Sequence, residues 1–270
     1  MNIPSTVTQT AELHAPPAWH TVDFISDLHL QADQSATFTA WQHYMESTPA
    51  NAVFMLGDLF EAWVGDDGVR DDVTSAPGTG TFEDRCASVM GQTASRLALF
   101  FMHGNRDFLV GEDLMNLCNT TLLADPTVLS FNHQRWLLSH GDALCLADLD
   151  YMAFRQQVRS AAWQSDFLAK PLAERQTVAR GLRQQSQVQH DKRQQSGLAY
   201  ADVDSAAALA QLQAADTNIL IHGHTHQPAV HDLGCGFSRV VLSDWDASAS
   251  PPRAEVLRLT ISGLRRITLL

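Results

Sequence analysis

The sequence predicts an α/β fold in which mixed β-sheets pack as a sandwich flanked by helices, and three observations support this prediction. Five short apolar runs each end in a cluster of Asp, His, Asn or Gly residues. Apolar runs of this length are typical of strands that are buried on both faces and covered by helices. Helical patterns separate the runs, and residues 148–197 have helical periodicity with no strand pattern. That last stretch predicts a helical cap inserted into the sandwich.

The predicted strands and helices alternate along the chain. Strands are predicted within residues 21–30, 51–58, 97–107, 135–142 and 218–226. Helices are predicted over residues 37–47, 82–96, 110–118 and 202–215. The tripeptide NHQ at residues 132–134 is typical of a hairpin turn, and the runs that begin at Phe237 and Ala254 predict further strands. In the cap, Pro171 is expected to separate two helices, because proline cannot continue a helix.

Three parts of the chain follow from these patterns. Residues 1–20 lack the basic start and the apolar stretch of a secretory signal, so they are interpreted as a loose extension. Residues 21–147 and 198–270 are expected to form the sandwich, and residues 148–197 to form the cap. No apolar run reaches the length of a membrane-spanning helix.

The charge of the chain is acidic overall but uneven. The net charge of −12 opposes binding to the phosphates of bulk DNA or RNA, so no nucleic-acid partner is expected. Residues 151–200 instead carry eight Lys or Arg against three Asp or Glu. This basic cap is either a solvated helix face or a surface for anionic lipid. The four cysteines have no C-x-x-C spacing, which favours reduced thiols without a metal or redox role.

The candidate site consists of polar residues at the ends of the five predicted strands. These are Asp27, His29, Asp58, Asn105, Arg106, Asp107, His140, Asp142, His222, His224 and His226. Residues two apart in an extended chain share a face, so the D-x-H motif at 27 and the H-x-H motif at 222 each direct two ligands to one side. His226 and His231 are expected to orient neighbours or to lie at the surface.

The chemistry of these side chains indicates two divalent metal ions. Oxygen and imidazole ligands without thiolate are typical of Mn, Fe or Zn. Any single motif is weak evidence, because an aspartate often simply closes a turn, but five clusters after five strands favour a metal site. Seven such ligands suit two ions that share a carboxylate. Two ions about 3.5–4 Å apart would clamp the attacking and leaving oxygens of a phosphoryl transfer and hold a hydroxide as the nucleophile.

The order of the motifs, D-x-H, G-D, G-N-x-D, H-G-D and H-G-H-T-H, resembles that of the calcineurin-like metallophosphoesterases over residues 21–245. The resemblance implies the sandwich fold of that family and a dinuclear centre. One ion would be held by Asp27, His29, Asp58 and His224, and the other by Asp58, Asn105, His140 and His222. Asp58 would bridge the ions, and Asp58, Asn105, Arg106 and His140 would carry the catalysis.

Within that superfamily, the segments LGDLFEAWVGDD, HGNRDFL, SHGDALCLAD and IHGHTHQPAVH resemble the UDP-2,3-diacylglucosamine diphosphatases of the lipid A pathway. The resemblance implies hydrolysis of UDP-2,3-diacylglucosamine to UMP and 2,3-diacylglucosamine 1-phosphate (lipid X), with two Mn²⁺ ions and attack at the uridine-side phosphorus. Many superfamily members have a histidine, a proposed acid, in the place of Arg106. A phosphate leaving group needs little protonation, and an arginine offers two parallel donors to phosphate oxygens.

The same resemblance implies which residues contact the substrate. They are Asn105, Arg106, Asp148, Arg183, Ser186 and His222, with Lys192 and Arg193 competing for one lysine position. Candidates to line a groove for the acyl chains are Phe154, Trp163, Phe167 and Leu168. Peripheral attachment to the cytoplasmic face of the bacterial inner membrane is also implied, and the chain is expected to be a monomer.

Two alternative functions stay open at this point. Soluble nucleotide pyrophosphatases and cyclic-nucleotide phosphodiesterases share the superfamily chemistry, and for them a polar cap lining is expected. The other alternative is a metal-holding scaffold of the kind used in trafficking complexes. Such scaffolds typically lose metal ligands, whereas every ligand position is filled in this sequence.

Overall fold

The computed structural model describes residues 10–69, 80–195 and 202–270, apart from the side chains of residues 185–195. Within these residues the strands are β1 (Ala11–His14), β2 (Thr21–Ile25), β3 (Ala52–Leu56), β4 (Ala98–Met102), β5 (Thr121–Leu123), β6 (Thr127–Phe131), β7 (Gln134–Leu138), β8 (Ile219–His222), β9 (Val230–Gly234), β10 (Phe237–Val241), β11 (Glu255–Thr260) and β12 (Gly263–Thr268). The α-helices are α1 (Ser35–Ser47), α2 (Phe82–Ala94), α3 (Glu112–Leu117), α4 (Leu149–Val158), α5 (Ala161–Leu168), α6 (Leu172–Gln195) and α7 (Ser205–Ala214).

Two six-stranded mixed sheets form the centre of the fold. The first sheet has the order β1-β6-β7-β8-β10-β9, and the second has the order β12-β11-β2-β3-β4-β5. In the second sheet β2, β3, β4 and β5 run parallel, and in the first sheet β7, β8 and β10 run parallel. The α/β prediction is therefore confirmed, and each of the five predicted strands is present with somewhat shorter bounds.

Three apolar clusters hold the layers together. The cluster between the two sheets includes Phe24, Phe54, Leu138 and Ile221. The cluster that joins the second sheet to α1 and α2 includes Trp41, Val53, Met55 and Met90. The cluster that joins the first sheet to α7 includes Leu137, Leu212 and Leu220. Because successive residues of a strand face opposite sides, the continuous apolar runs fill the core on both faces of each sheet.

The N-terminal region differs from the loose extension that was predicted. Ala11–His14 form β1, which pairs in parallel with β6 at the edge of the first sheet. Glu12 Oε1 accepts hydrogen bonds from Ser130 Oγ at 2.6 Å and from Arg135 Nη1 at 2.5 Å. The side chains of β1 are mostly exposed, so the strand is held by backbone pairing and by these polar contacts. An apolar pattern could not have identified it.

The cap consists of α4, α5 and α6, with no strand among its described residues. The prediction of two helices separated at Pro171 is incomplete, because the chain also turns between α4 and α5. There the Ser160 hydroxyl accepts a hydrogen bond from the Trp163 backbone N–H at 3.3 Å and caps α5. Among the helices that the structure describes, none is long and apolar enough to cross a membrane.

Candidate active site

The ends of five strands meet at one edge of the sandwich. β2, β3 and β4 are parallel neighbours in the second sheet, and β7 and β8 are parallel neighbours in the first. Their carboxyl ends therefore point the same way, which is where such folds bind ligands. Five polar residues just beyond these ends have left-handed backbone: Asp27, His29, Asp58, His224 and His226. Non-glycine residues in this conformation are strained and concentrate at functional sites.

A first cluster is formed by Asp27, His29 and His226. His226 Nε2 lies 3.3 Å from Asp27 Oδ1 and 3.3 Å from His29 Nε2. Asp27 is fully buried, and its Oδ2 accepts hydrogen bonds from Ser26 Oγ at 2.6 Å and from the His224 backbone N–H at 2.9 Å. Asp27 Oδ1 accepts no hydrogen bond. One carboxylate oxygen is thus fixed by the protein, and the other is left facing the cluster.

A second cluster is formed by Asp58, Asn105, His140 and His224. Asn105 Oδ1 lies 3.1 Å from His140 Nε2 and 2.8 Å from His224 Nδ1. His140 Nε2 lies 3.8 Å from Asp58 Oδ1. Donor atoms of Asp27, Asp58 and His140 all lie within 4.8 Å of one another. The two clusters are therefore contiguous, with the two buried carboxylates at their junction.

Contacts behind the clusters orient these side chains. His140 Nδ1 donates a hydrogen bond to the Leu56 carbonyl oxygen at 2.9 Å, which leaves Nε2 directed toward the clusters. The buried Asp107 carboxylate accepts backbone N–H groups of Leu59 at 2.7 Å and Gly104 at 2.8 Å. Asp107 thereby ties the chain after β3 to the chain after β4, and it holds Asp58 in its turn.

Two glycines allow the backbone to approach the carboxylates. A Cβ atom at Gly104 would overlap Asp58 Oδ1, and one at Gly223 would overlap Asp27 Oδ2 and Ser26 Oγ. Any larger residue would have to push the carboxylate out of its position. The glycines of the G-N-R-D and H-G-H-T-H motifs are therefore required by packing at the site itself.

The electrostatics of the clusters favour positive charge. Burial alone would raise the pKa of Asp27, but His226 in particular holds that pKa well below its usual range. Burial alone would lower the pKa of His140, but the carboxylates of Asp58 and Asp27 raise it to about 9. His224 differs, because burial and the neighbouring His140 lower its pKa to about 4. The two aspartates thus stabilise a cation between them, while His224 is a neutral donor.

This donor set fits divalent metal ions. The donors are carboxylate and amide oxygens with imidazole nitrogens, and none of them is a thiolate. A buried carboxylate oxygen without a hydrogen bond, as at Asp27 Oδ1, is unusual in a folded protein unless another partner satisfies it. The predicted residues Asp27, His29, Asp58, Asn105, His140 and His224 all lie in or beside the clusters.

His222 lies away from both clusters, contrary to its predicted metal-binding role. It is the last residue of β8 and shares a strand face with Leu220, which packs toward α7. Its ring approaches the Gly223 carbonyl oxygen through Nδ1 at 2.9 Å and Arg239 Nη1 through Nε2 at 3.3 Å. Burial lowers the pKa of His222 to about 4. A side chain still inside the strand cannot turn toward the strand end.

The shared direction that the sequence predicts for His222 and His224 is found instead for His224 and His226. His224 and His226 follow β8 and have left-handed backbone, which turns both rings into the clusters. His224 also lies in the cluster of Asn105 and His140, although it was predicted to join Asp27. The His226 side chain is 39% exposed, which agrees with the expectation that it lies at the surface, but its Nε2 also lies beside Asp27 and His29 in the first cluster.

The cap is anchored beside the clusters. The buried Asp142 carboxylate accepts a hydrogen bond from Tyr151 Oη of α4 at 2.5 Å. The Tyr151 ring stacks on His224 with centroids 5.9 Å apart. Arg159 Nη2 donates a hydrogen bond to the Gly104 carbonyl oxygen at 2.9 Å. The first cap helix is thus fixed above the second cluster.

The candidate groove residues of the cap differ in exposure. Phe167 is buried in the core cluster, and its ring stacks on Trp163 at a centroid distance of 4.7 Å. Phe167 docks α5 on the sandwich and is too buried to line an open groove, whereas Trp163 is only partly buried and stays a candidate. Phe154 and Leu168 are exposed, as a groove lining requires.

The predicted substrate contacts fall in different places. Asp148 is the N-cap of α4, where it accepts a hydrogen bond from the Tyr151 backbone N–H at 3.2 Å. Arg106 and Arg183 both approach Glu61, which the sequence analysis did not identify. The available signal was an acidic residue three positions after Asp58 in the segment LGDLFEAWVGDD. The side chains of Ser186, Lys192 and Arg193 lie outside the described residues.

Comparison with known proteins gives consistent relatives. A family model described as calcineurin-like phosphoesterase matches residues 20–228. The chain is similar to the UDP-2,3-diacylglucosamine hydrolase of Chromobacterium violaceum, with 41% identity over 258 residues, 92% of this chain and 98% of that protein. It is 40% identical to the protein of the same name from Chromohalobacter salexigens over 82% of this chain and 87% of that protein. The corresponding Cellvibrio japonicus protein is 39% identical over 84% and 95%, respectively.

Proposed function

Because the chain belongs to the calcineurin-like phosphoesterase family and to its UDP-2,3-diacylglucosamine hydrolases, we propose that it cleaves UDP-2,3-diacylglucosamine into UMP and 2,3-diacylglucosamine 1-phosphate. The protein is a metal-dependent hydrolase.

The observation that carries the choice of substrate is the apolar surface of the cap. Six of the ten large apolar side chains that are exposed in the described part of the chain lie in or next to it: Leu146, Leu149, Phe154, Leu168, Val178 and Leu182. An apolar surface of this kind suits two acyl chains, whereas a cap over a soluble nucleotide would be polar. Arg106 and Arg183 both approach Glu61, and Arg183 follows Leu182 on α6, so this pair of guanidinium groups suits a pyrophosphate.

The proposed metal ligands follow the two clusters. One ion would be held by Asp27, His29, Asp58 and His226, and the other by Asp58, Asn105, His140 and His224. Two Mn²⁺ ions suit this set of oxygen and imidazole donors. Divalent ions bound here would polarise the phosphoryl oxygens and lower the pKa of the attacking water.

In the proposed reaction the chain positions the pyrophosphate for in-line attack. Water attacks the uridine-linked phosphorus, and the bond from that phosphorus to the bridging oxygen breaks. The bridging oxygen leaves with the sugar phosphate, so UMP and 2,3-diacylglucosamine 1-phosphate are released. Arg106 would stabilise the charge that develops on the phosphate oxygens. Asn105 and His140 are fixed against each other, which supports a positioning role for both.

The cap also supports peripheral attachment to the cytoplasmic face of the bacterial inner membrane. Its helices combine the exposed apolar side chains with a net positive charge, and such surfaces bind anionic lipid. Ser186 and either Lys192 or Arg193 remain proposed contacts for the substrate head group. His222 is not kept as a substrate contact, since it is buried beside Arg239. A monomer is proposed.

The deciding experiment is Mn²⁺-dependent release of UMP from UDP-2,3-diacylglucosamine in mixed micelles. UDP-N-acetylglucosamine and bis-p-nitrophenyl phosphate serve as unacylated comparisons under the same conditions. A strong preference for the acylated substrate supports the proposal and gives the cap its role. Equal or faster turnover of the unacylated compounds would contradict it and indicate a soluble nucleotide pyrophosphatase or phosphodiesterase.

A further inference from the structure

Glu61 joins three site residues that lie on different parts of the chain. Its Oε2 lies 3.0 Å from His29 Nδ1, and its Oε1 lies 2.9 Å from Arg183 Nε and 3.8 Å from Arg106 Nη1. The Glu61 side chain is only 13% exposed. His29 follows β2, Arg106 follows β4 and Arg183 belongs to α6, so one carboxylate connects the sandwich edge with the cap.

The contact with His29 lies on the far side of the ring from the first cluster. His29 Nε2 faces His226 at 3.3 Å, while Nδ1 faces Glu61. The contact is within ion-pair distance but is not aligned as a hydrogen bond. A carboxylate at this position can still hold the orientation of the ring and increase the basicity of the nitrogen that faces a metal.

The contacts of Glu61 with Arg106 and Arg183 place two positive charges beside the clusters. The Arg106 backbone carbonyl accepts a hydrogen bond from the Trp63 N–H at 3.1 Å, which holds the chain after β4 against the segment that carries Glu61. Arg106 Nε is buried without a hydrogen bond. Arg183 is about half exposed and reaches Glu61 from the cap. Both guanidinium groups keep donors for an anionic ligand.

We propose that Glu61 is a positioning residue that orients His29 toward the metal ions and sets Arg106 and Arg183 beside the substrate pyrophosphate. This inference rests on the proposed function. It predicts two separable defects in a Glu61 variant, one in metal affinity and one in substrate binding. The Arg183 contact ties the second defect to the position of the cap.

The test compares Glu61→Gln, Arg183→Gln and the double variant in the full chain. Mn²⁺ affinity is measured by calorimetry after chelation, and kcat and KM are measured with UDP-2,3-diacylglucosamine. Glu61→Gln should weaken Mn²⁺ binding about 10-fold, as loss of a carboxylate behind a metal-binding imidazole typically does. Arg183→Gln should leave Mn²⁺ binding unchanged and raise KM. The double variant should have the KM of Glu61→Gln alone, because the two residues act through one contact.

Glu174→Gln is the matched control, because Glu174 lies on α6, as Arg183 does, and pairs with Lys170 at the surface. It should change neither quantity. Glu61→Asp keeps the charge and should recover part of the Mn²⁺ affinity, which separates positioning from general loss of folding.

Unchanged Mn²⁺ affinity in a folded Glu61→Gln protein would overturn the His29 role, and an unchanged KM would overturn the arginine role. If the wild-type protein does not cleave UDP-2,3-diacylglucosamine, the proposed function fails, while Mn²⁺ affinity and bis-p-nitrophenyl phosphate hydrolysis still decide the role of Glu61 toward His29.

Discussion

Two buried aspartates four positions apart, Asp23 in β2 and Asp27 just beyond it, have opposite surroundings. Asp23 accepts hydrogen bonds from Arg258 Nε at 2.7 Å, Tyr44 Oη at 2.8 Å and Thr48 Oγ1 at 2.9 Å. Asp27 has one oxygen that accepts no hydrogen bond, and it lies close to a second buried carboxylate, Asp58. Both aspartates are fully buried. The fold thus pairs the Asp23 carboxylate with the guanidinium group of Arg258, whereas it leaves Asp27 Oδ1 without a hydrogen bond and available to a cation that is not part of the chain.

The largest effect is expected for Asp27→Asn. This substitution keeps the shape of the side chain but removes the charge that would bind a metal ion. Activity should fall by more than about 100-fold, because changes behind a metal ligand already cost about 10–100-fold. Without metal, the free energy of unfolding should fall as well, because the lowered pKa of Asp27 means that its neighbours, His226 foremost, stabilise its charge in the folded state. Activity is measured by steady-state kinetics and the free energy of unfolding by urea denaturation. A variant that kept most of its activity would show that the Asp27 charge is not needed at the site.

The paired substitutions His226→Ala and His222→Ala test which histidine shares a metal site with Asp27. His226→Ala should lower Mn²⁺ affinity about 10-fold or more, because its ring lies in the first cluster. His222→Ala should keep the wild-type metal affinity and instead reduce stability, because it removes a buried ring beside Arg239. Calorimetric metal titration of both variants is the measurement. If His222→Ala weakened Mn²⁺ binding more than His226→Ala did, His222 would be a metal ligand, as the sequence predicts.

Asp23→Asn should reduce stability without reducing activity, unlike Asp27→Asn. Loss of the Asp23 charge leaves the guanidinium group of Arg258 partly buried without its ion-pair partner, which should cost roughly 3 kcal/mol of unfolding free energy. The kcat/KM of the folded protein should be unchanged, because no Asp23 contact reaches the clusters. Urea unfolding with kinetics on the same preparation tests this. A stable but inactive variant would show that Asp23 also serves the site.

A further expected effect is a shift in thermal stability on metal removal. An ion that binds the folded state alone stabilises it by about 2.7 kcal/mol when its concentration is 100 times Kd. Chelation should therefore lower Tm in the wild-type protein and leave Tm nearly unchanged in Asp27→Asn. Differential scanning calorimetry with and without Mn²⁺ compares them. Equal shifts in both proteins would place the stabilising ion elsewhere.

The strands and the position of the site could be predicted from the amino-acid sequence alone. Buried strands in a parallel arrangement need continuous apolar runs, and those runs end where polar residues begin, so Asp27, Asp58 and Asn105 could be predicted to converge. The D-x-H spacing placed His29 in the same cluster as Asp27. These features depend on local periodicity and on the common direction of neighbouring strands. Both can be deduced without knowing how side chains pack.

Which histidines face the site, and how the cap is attached, depends on how the folded chain packs. His222, His224 and His226 have the same spacing, and their roles separate because β8 ends at His222 and the backbone turns only afterwards. Glu61 acquires its contacts from residues that are distant in sequence. Phe167 looked like a groove residue until docking of α5 on the core buried it. Periodicity specifies the face of an element, whereas the partner of that face depends on how the elements pack together.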